Sequence, residues 1–153
     1  MRIAVVSDTH GLQREELLPA LAGAEYILHA GDVGDNRILD ALRKIAPVTA
    51  IRGNVDLYGD MALLPATEAL ELGGHFIYML HSVHDLDLKP EAAGFSVVLS
   101  GHSHKPGVET RNGVMYLNPG SCGPRRFSLP VTFAWLVLEP GQSPHAEIVD
   151  LLK

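Results

Sequence analysis

The sequence predicts an α/β fold in which a parallel sheet is built first and a second, hairpin-rich sheet packs on it. Three observations predict this. The first third alternates continuous β-branched runs with helical apolar stripes. The second half alternates short apolar runs with Gly-Gly, Asn-Gly and Pro-Gly turn signals. A chain of 153 residues, 46% hydrophobic, is long enough for one domain, taken as 1–153, with a sizeable core.

Arg2 to Val6 reads as a fully buried strand, because its apolar residues are continuous and not alternating. Leu12 to Ala22 carries Leu17, Leu18 and Leu21 at helical spacing, with Gly23 as a C-terminal cap and Pro19 as an interruption that splits it into short turns. Tyr26 to Leu28 is a second short strand. Asn36 is the expected N-cap of a helix whose Ile38, Leu39, Leu42 and Ile45 form one stripe. Val48 to Ile51 is the third strand. Such a β-α-β-α-β order implies parallel strands with right-handed crossovers, and a ligand crevice at their carboxyl ends.

Leu57 to Pro65 reads as an exposed loop that could roof the site. Thr67 to Leu72 and His75 to Leu80 flank Gly73-Gly74 as a hairpin. Glu91 to Ala93 is one helical turn, and Ser96 to Leu99 is another buried strand. Val108 to Thr110 and Val114 to Leu117 surround Asn112-Gly113, and Val131 to Leu138 and Ala146 to Leu151 surround Pro140-Gly141. No repeat or linker is present. The second half should therefore be antiparallel-rich.

The net charge is -6, which argues against a polynucleotide or anionic lipid as partner, so any anion must be drawn by a local centre. The single cysteine, Cys122, forbids an internal disulfide. The apolar start broken by Asp8 is too short for a signal peptide, and no run of eighteen apolar residues spans a membrane. The expectation is a cytoplasmic protein.

Five apolar runs end in ligand-type residues: Asp8-Thr9-His10, Gly31-Asp32, Gly53-Asn54, Leu80-His81 and Gly101-His102-Ser103-His104. Asp8, His10, Asp32, Asn54, His81, His102 and His104 are oxygen and nitrogen donors suited to borderline divalent metals, with no thiolate among them. Seven donors exceed one tetrahedral ion and suit two larger shells sharing a bridge. Two divalent cations against two carboxylates leave a positive pocket in an acidic protein, one that attracts a phosphate ester.

These motifs, with Asn118-Pro119-Gly120-Ser121 after them, resemble the calcineurin-like metallophosphoesterase superfamily, in particular its small bacterial and archaeal phosphodiesterases. The resemblance runs from Met1 to about Arg126. It implies a four-layer α/β/β/α sandwich with two mixed sheets. It implies one metal on Asp8, His10, Asp32 and His104 and a second on Asp32, Asn54, His81 and His102, with Asp32 bridging. Manganese is the expected ion, with iron, zinc, nickel or cobalt as alternatives. The implied activity is a phosphoesterase, a phosphodiesterase before a phosphomonoesterase, in which a hydroxide bridging the two ions attacks a small phosphate ester. Catalytic roles fall to Asp32, Asn54, Asp56 and His84, and substrate contacts to Asn54, Arg125 and Arg126.

The chain departs from the family pattern at two places. Val55 stands where many members have a proton-donating His, which leaves Asp56 either without the residue it would orient or as a turn-forming aspartate before Leu57. His81-Ser82-Val83-His84-Asp85 stands where the family often has His-Gly-His; His84 is a displaced residue supporting the metal ligands, a substitute acid or an exposed loop histidine. Such an enzyme should favour leaving groups that need little protonation, such as aryl or nucleotide-type phosphates. Elsewhere His29 reads as a hydrogen-bonded core residue, His75 and His145 as exposed, Cys122 as packed, and Trp135 as core or subunit contact. Arg125 and Arg126 are a phosphate clamp or merely solvated. The alternative function is a non-catalytic protein-interaction module like the retromer subunit, and exposed antiparallel strands would allow a homo-oligomer.

Overall fold

The computed structural model describes residues 1–153. The first sheet holds β1 (Arg2–Val6), β2 (Tyr26–His29), β3 (Val48–Ala50), β9 (Thr132–Val137) and β10 (His145–Asp150), in the order β10-β9-β1-β2-β3. The second holds β4 (Thr67–Leu72), β5 (His75–Leu80), β6 (Val97–Leu99), β7 (Gly107–Arg111) and β8 (Val114–Asn118), in the order β4-β5-β6-β8-β7. Both sheets are mixed. The opening strands β1, β2 and β3 are parallel as expected. The second sheet is less antiparallel than its hairpins suggested, because β5, β6 and β8 run parallel at its centre. Val97–Leu99 is buried throughout, as a central parallel strand requires.

Period-two alternation divides each strand between layers. From β1, Ile3 and Val5 enter the space between the sheets, where they meet Ile77, Met79, Val97 and Leu99. Ala4 and Val6 face the other way, onto Leu17 of helix α1 (Leu17–Ala20), Leu21 just after it, and Leu39 and Leu42 of helix α2 (Asn36–Arg43). Each such buried leucine contributes roughly 1.5–3 kcal/mol. The fourth layer is thin: α3 (Pro90–Ala93) is one turn, and only Leu80, Val98 and Val114 form a small cluster on that face. Trp135 is core, with the Arg2 guanidinium 3.7 Å from its ring centroid.

Several boundaries move for identifiable reasons. The expected Leu12–Ala22 helix shrinks to Leu17–Ala20, because Pro19 has no amide to bond a preceding turn and is tolerated only near a helix start. Asp35, not Asn36, caps α2, its carboxylate accepting from the Arg37 amide at 2.9 Å. The Leu57–Pro65 segment is not wholly a loop: Gly59–Leu63 forms a 3-10 turn that buries Met61 and leaves Tyr58 and Leu63 exposed. His75 is not a free surface histidine. Its ring joins Ser96 Oγ at 2.9 Å to the Glu139 carbonyl at 2.8 Å, tying β5 to the far hairpin. No helix is long and apolar enough to cross a membrane.

The register sets the carboxyl ends side by side. Val6 pairs with His29 and His29 with Ala50. In the other sheet Met79 pairs with Leu99, and Leu99 with Leu117. The loops leaving β1, β2, β3, β5 and β6 therefore meet along one edge of the sandwich.

Candidate metal centre

Backbone conformation marks this edge before any side chain does. Seven non-glycine residues have positive φ, and five of them are Asp8 (58°), His10 (47°), Asp32 (54°), His102 (71°) and His104 (61°). A left-handed backbone costs a non-glycine residue about 1–3 kcal/mol and persists only where its surroundings enforce it. Here they do. The Asp8 amide donates to the Gly31 carbonyl at 3.0 Å, and the His10 amide to the Asp32 carbonyl at 2.9 Å. Glycines supply the remaining clearance: a Cβ on Gly53 would overlap the Asp32 carboxylate, and one on Gly101 would overlap Ser7 Oγ and crowd Asp8.

The two aspartates are held alike. Asp8 Oδ2 accepts from Ser7 Oγ at 2.7 Å and from the His102 amide at 3.1 Å. Its other oxygen, Oδ1, is buried without a hydrogen-bond partner, 3.5 Å from His104 Nε2 and 3.7 Å from both His10 Nε2 and His81 Nε2. Asp32 Oδ1 accepts from the Val55 amide at 3.0 Å, while Oδ2 lies 3.1 Å from His81 Nε2 and 3.5 Å from His10 Nε2. Each carboxylate thus has one oxygen fixed by the protein and one turned toward histidine nitrogens.

Those nitrogens present lone pairs. His81 Nδ1 donates to the Ala30 carbonyl at 2.7 Å, so in the neutral ring Nε2 is an acceptor, and it too is buried without a hydrogen-bond partner. An acceptor facing two carboxylate oxygens requires a proton or a cation between them. His10 Nε2 and His104 Nε2 face each other at 3.3 Å, where the tautomer protonated at one of them donates to the other and a shared cation would replace that proton. Donors about 2.1 Å from one ion, at cis or tetrahedral angles, lie roughly 3.0–3.4 Å apart, close to these spacings. Two groups gather their ligand atoms within 4.8 Å of one another, Asp8-His10-His104 and Asp8-Asp32-His81. The donors present fit divalent ions. The residue common to both groups is Asp8, while Asp32 reaches His10 and His81 through one oxygen.

Electrostatics follow from this packing. Burial alone would raise the Asp32 carboxyl, but the His81 imidazole, the Val55 amide and the neighbouring His10 hold it well below the usual carboxylate range. His10 is raised, chiefly by Asp8. His81 is raised despite burial, by Asp32, the Ala30 carbonyl and Asp8. His104 is lowered, chiefly by burial. Cys122 is buried and its thiol is pushed up to about 12, so it is packing and not a nucleophile.

The remaining sequence-derived residues occupy the rim. His102 is half-buried, its ring centroid 5.2 Å from that of His81, and Asn54 is exposed beside a cavity of about 360 Å³. Arg125 and Arg126 line another cavity with His10 and His104. His84 is exposed in the short turn Val83–Asp85 and makes no hydrogen bond. Asp56 faces away from the centre: its carboxylate accepts from the amides of Val33, Gly34 and Gly53 at 3.1, 3.0 and 2.9 Å, bracing two loops together.

The supporting residues were legible only in part: His29 is the hydrogen-bonded core residue expected, Asn118–Ser121 was visible as a motif, and Thr9 was passed over. The Gly31 amide donates to His29 Nδ1 at 3.1 Å, which leaves Nε2–H to donate to Thr9 Oγ1 at 3.0 Å; Thr9 in turn donates to the Val33 carbonyl at 2.8 Å. This chain joins the Asp8 and Asp32 loops from beneath. Asn118 Nδ2 donates to the Gly101 carbonyl at 3.0 Å, and Ser121 Oγ to the Asp8 carbonyl at 2.9 Å, so Asn118–Ser121 supports both sheets' loops. The only signal of these roles was position: Thr9 between two donors, His29 just before Gly31.

Comparison with known proteins bears on the same residues. The family model of the calcineurin-like phosphoesterase superfamily domain matches residues 1–141. A probable metallophosphoesterase of Methanocaldococcus jannaschii is 36% identical over 134 residues, 79% of this chain and 68% of that protein. The phosphodiesterase YfcE of Escherichia coli is 26% identical over 160 residues, 89% of this chain and 87% of its own; its solved structure gives a TM-score of 0.70. The Vps29 of Entamoeba histolytica, solved with zinc, gives a TM-score of 0.76 at 21% identity over 99% of each chain, a likeness of fold.

Proposed function

The chain belongs to the calcineurin-like phosphoesterase superfamily, a family of metal-dependent phosphoesterases, and from that premise we propose that it is a phosphodiesterase acting on a small phosphate ester. The observation that carries this is the facing of ligand-type atoms: His81 Nε2 and Asp8 Oδ1 are both buried without a hydrogen-bond partner, 3.7 Å apart, with Asp32 Oδ2 3.1 Å from the same nitrogen. Asp8, His10, His104 and Asp32 would hold one ion, and Asp32, Asn54, His81 and His102 a second, with manganese the first choice. When bound, divalent ions supply Lewis acidity toward phosphoryl oxygens and acidify water.

The chain's own residues do the rest. Ser7, the His102 amide and the Val55 amide keep both aspartates oriented, so no reorganisation is needed when the substrate arrives. Asn54, exposed at the cavity mouth, offers an amide to the scissile phosphate, and Arg125 and Arg126, lining a neighbouring cavity, offer guanidinium charge to the rest of the substrate. Val55 can move no proton, and His84 stands exposed outside the donor groups. The leaving group must therefore depart with little protonation, which favours aryl or nucleotide-type esters.

The interaction-module reading is favoured by the fold likeness to Vps29. Against it stand five strained residues, all at the donor edge, a cost that a mere docking surface has no need to bear. The test is metal-stripped protein reconstituted with each divalent ion and assayed on bis(4-nitrophenyl) phosphate and 4-nitrophenyl phosphate. Metal-restored turnover of the diester, faster than of the monoester, supports the proposal. Turnover unaffected by stripping or by Asp32→Ala refutes it.

A further inference from the structure

The loop after β8 carries features that hydrolysis itself does not use. Its base is clamped to the centre: the Cys122 amide donates to the Ser7 carbonyl at 3.2 Å, and Arg14 Nε to the Gly123 carbonyl at 2.9 Å. A side chain at Gly123 would overlap the Asp8 and Thr9 carbonyls. Its tip, Pro124 to Ser128, is exposed.

Every other arginine of the chain is engaged. Arg2 lies over Trp135, Arg37 pairs with Asp35, Arg43 with Asp40 and Arg111 with Glu109, while Arg14 and Arg52 donate to carbonyls. The guanidinium groups of Arg125 and Arg126 alone have neither ion pair nor hydrogen bond, although acidic residues outnumber basic ones by 18 to 12. Both line a cavity of about 280 Å³ with Pro124, His10 and His104, and this cavity is not lined by Asp32, Asn54 or His81. It adjoins the donor cluster without covering it.

Phe127 follows directly. Of the positive-φ residues, five belong to the donor cluster and Asn112 sits in a hairpin turn with Gly113; the other is Phe127, at φ 54°. It is 90% exposed, so no packing compensates the strained backbone of this bulky residue. The ring stands in solvent on the same loop tip, next in sequence to Arg126.

We propose that this loop recognises a second phosphate and an adjoining aromatic base on the substrate arm that is not cleaved, so that the substrate is a nucleotide-bearing phosphodiester of dinucleotide size or smaller. Paired guanidinium forks suit phosphate in number and geometry, and an exposed aromatic face suits any base by stacking. The inference rests on the phosphodiesterase reading and names its substrate class.

Three substrates of the metal-loaded protein separate the parts: bis(4-nitrophenyl) phosphate, thymidine 5′-(4-nitrophenyl phosphate), and the same nucleotide carrying a 3′-phosphate. The third should show a KM at least about tenfold below the second, with kcat little changed. In Arg125→Ala/Arg126→Ala that ratio should collapse toward one, while Phe127→Ala should erase the advantage of the second substrate over the first. Calorimetric titration with thymidine 3′,5′-bisphosphate and with thymidine supplies a readout independent of turnover; the bisphosphate should bind at least about tenfold tighter, and only in protein with the arginines. Equal KM values for the second and third substrates, or a preference that survives the double variant, would overturn the proposal while leaving the phosphodiesterase reading intact. Absence of turnover on all three would overturn that reading instead, and the titration alone would then decide the phosphate site.

Discussion

The floor and the rim of the metal centre are built by opposite means. On the floor, Asp8, Asp32, His81 and His104 are buried; Asp8, Asp32 and His104 hold a left-handed backbone, and His81 is tethered to the Ala30 carbonyl. On the rim, Asn54, His84, Arg125, Arg126 and Phe127 are exposed, with few partners. The difference assigns tasks. A floor that cannot relax suits a fixed electrostatic field, and a rim that can move suits recognition of what is bound.

The comparison breaks most sharply at the two carboxylates. Asp32→Ala or Asp8→Ala should lower kcat/KM by more than about 100-fold, beyond what loss of a mere supporting partner costs, and should remove metal measured by elemental analysis. A rim change of similar size would erase the distinction between the two regions. Next comes Gly53→Ala, whose added methyl must displace the Asp32 carboxylate or its backbone. Metal affinity by competition with a chelator should fall about 10–100-fold, although no donor has been removed.

His29 tests whether the floor is held from beneath. It is fully buried, and burial lowers its pKa from 6.5 to about 4. Between those values the unfolded chain takes up a proton that the native state refuses, so stability falls as pH drops from about 6.5 toward 4. The loss across this window is about 3 kcal/mol. Thermal midpoints of metal-free His29→Gln should be lower at neutral pH yet flatter across it than those of the parent; an unchanged slope would dismiss the buried neutral imidazole. The smallest effect is expected at His84, on the rim. His84→Ala should change kcat on an aryl diester by less than about twofold, because an aryl leaving group needs no acid. A loss of about 100-fold would make His84 the proton donor that Val55 is not.

Much of this was legible in the sequence, and unevenly so. The parallel opening was readable because continuous apolar runs such as Ile3-Ala4-Val5-Val6 have no other stable setting than a sheet covered on both faces. Asp8, His10, Asp32, His81 and His104 could be singled out because each ends such a run. Their pairing could not: that Asp8 Oδ1 lies among three histidines depends on loops from two sheets meeting, a long-range fact with no local sign. The parallel centre of the second sheet was hidden for the same reason, since hairpin signals report only neighbouring strands. Asp56 was open between an orienting residue left without its partner and a turn-forming aspartate, and only coordinates show its carboxylate accepting from three amides. Phe127, with no pattern around it, gave no signal at all.

Both regions make sense together only if the buried ligand atoms on the floor hold divalent cations. Titrating metal-free protein with manganese, with bound ion counted by elemental analysis and free ion by its paramagnetic signal, tests this directly. About two equivalents should bind per chain, with at least one lost in Asp8→Ala. Saturation below about one equivalent, or binding indifferent to that substitution, would contradict it.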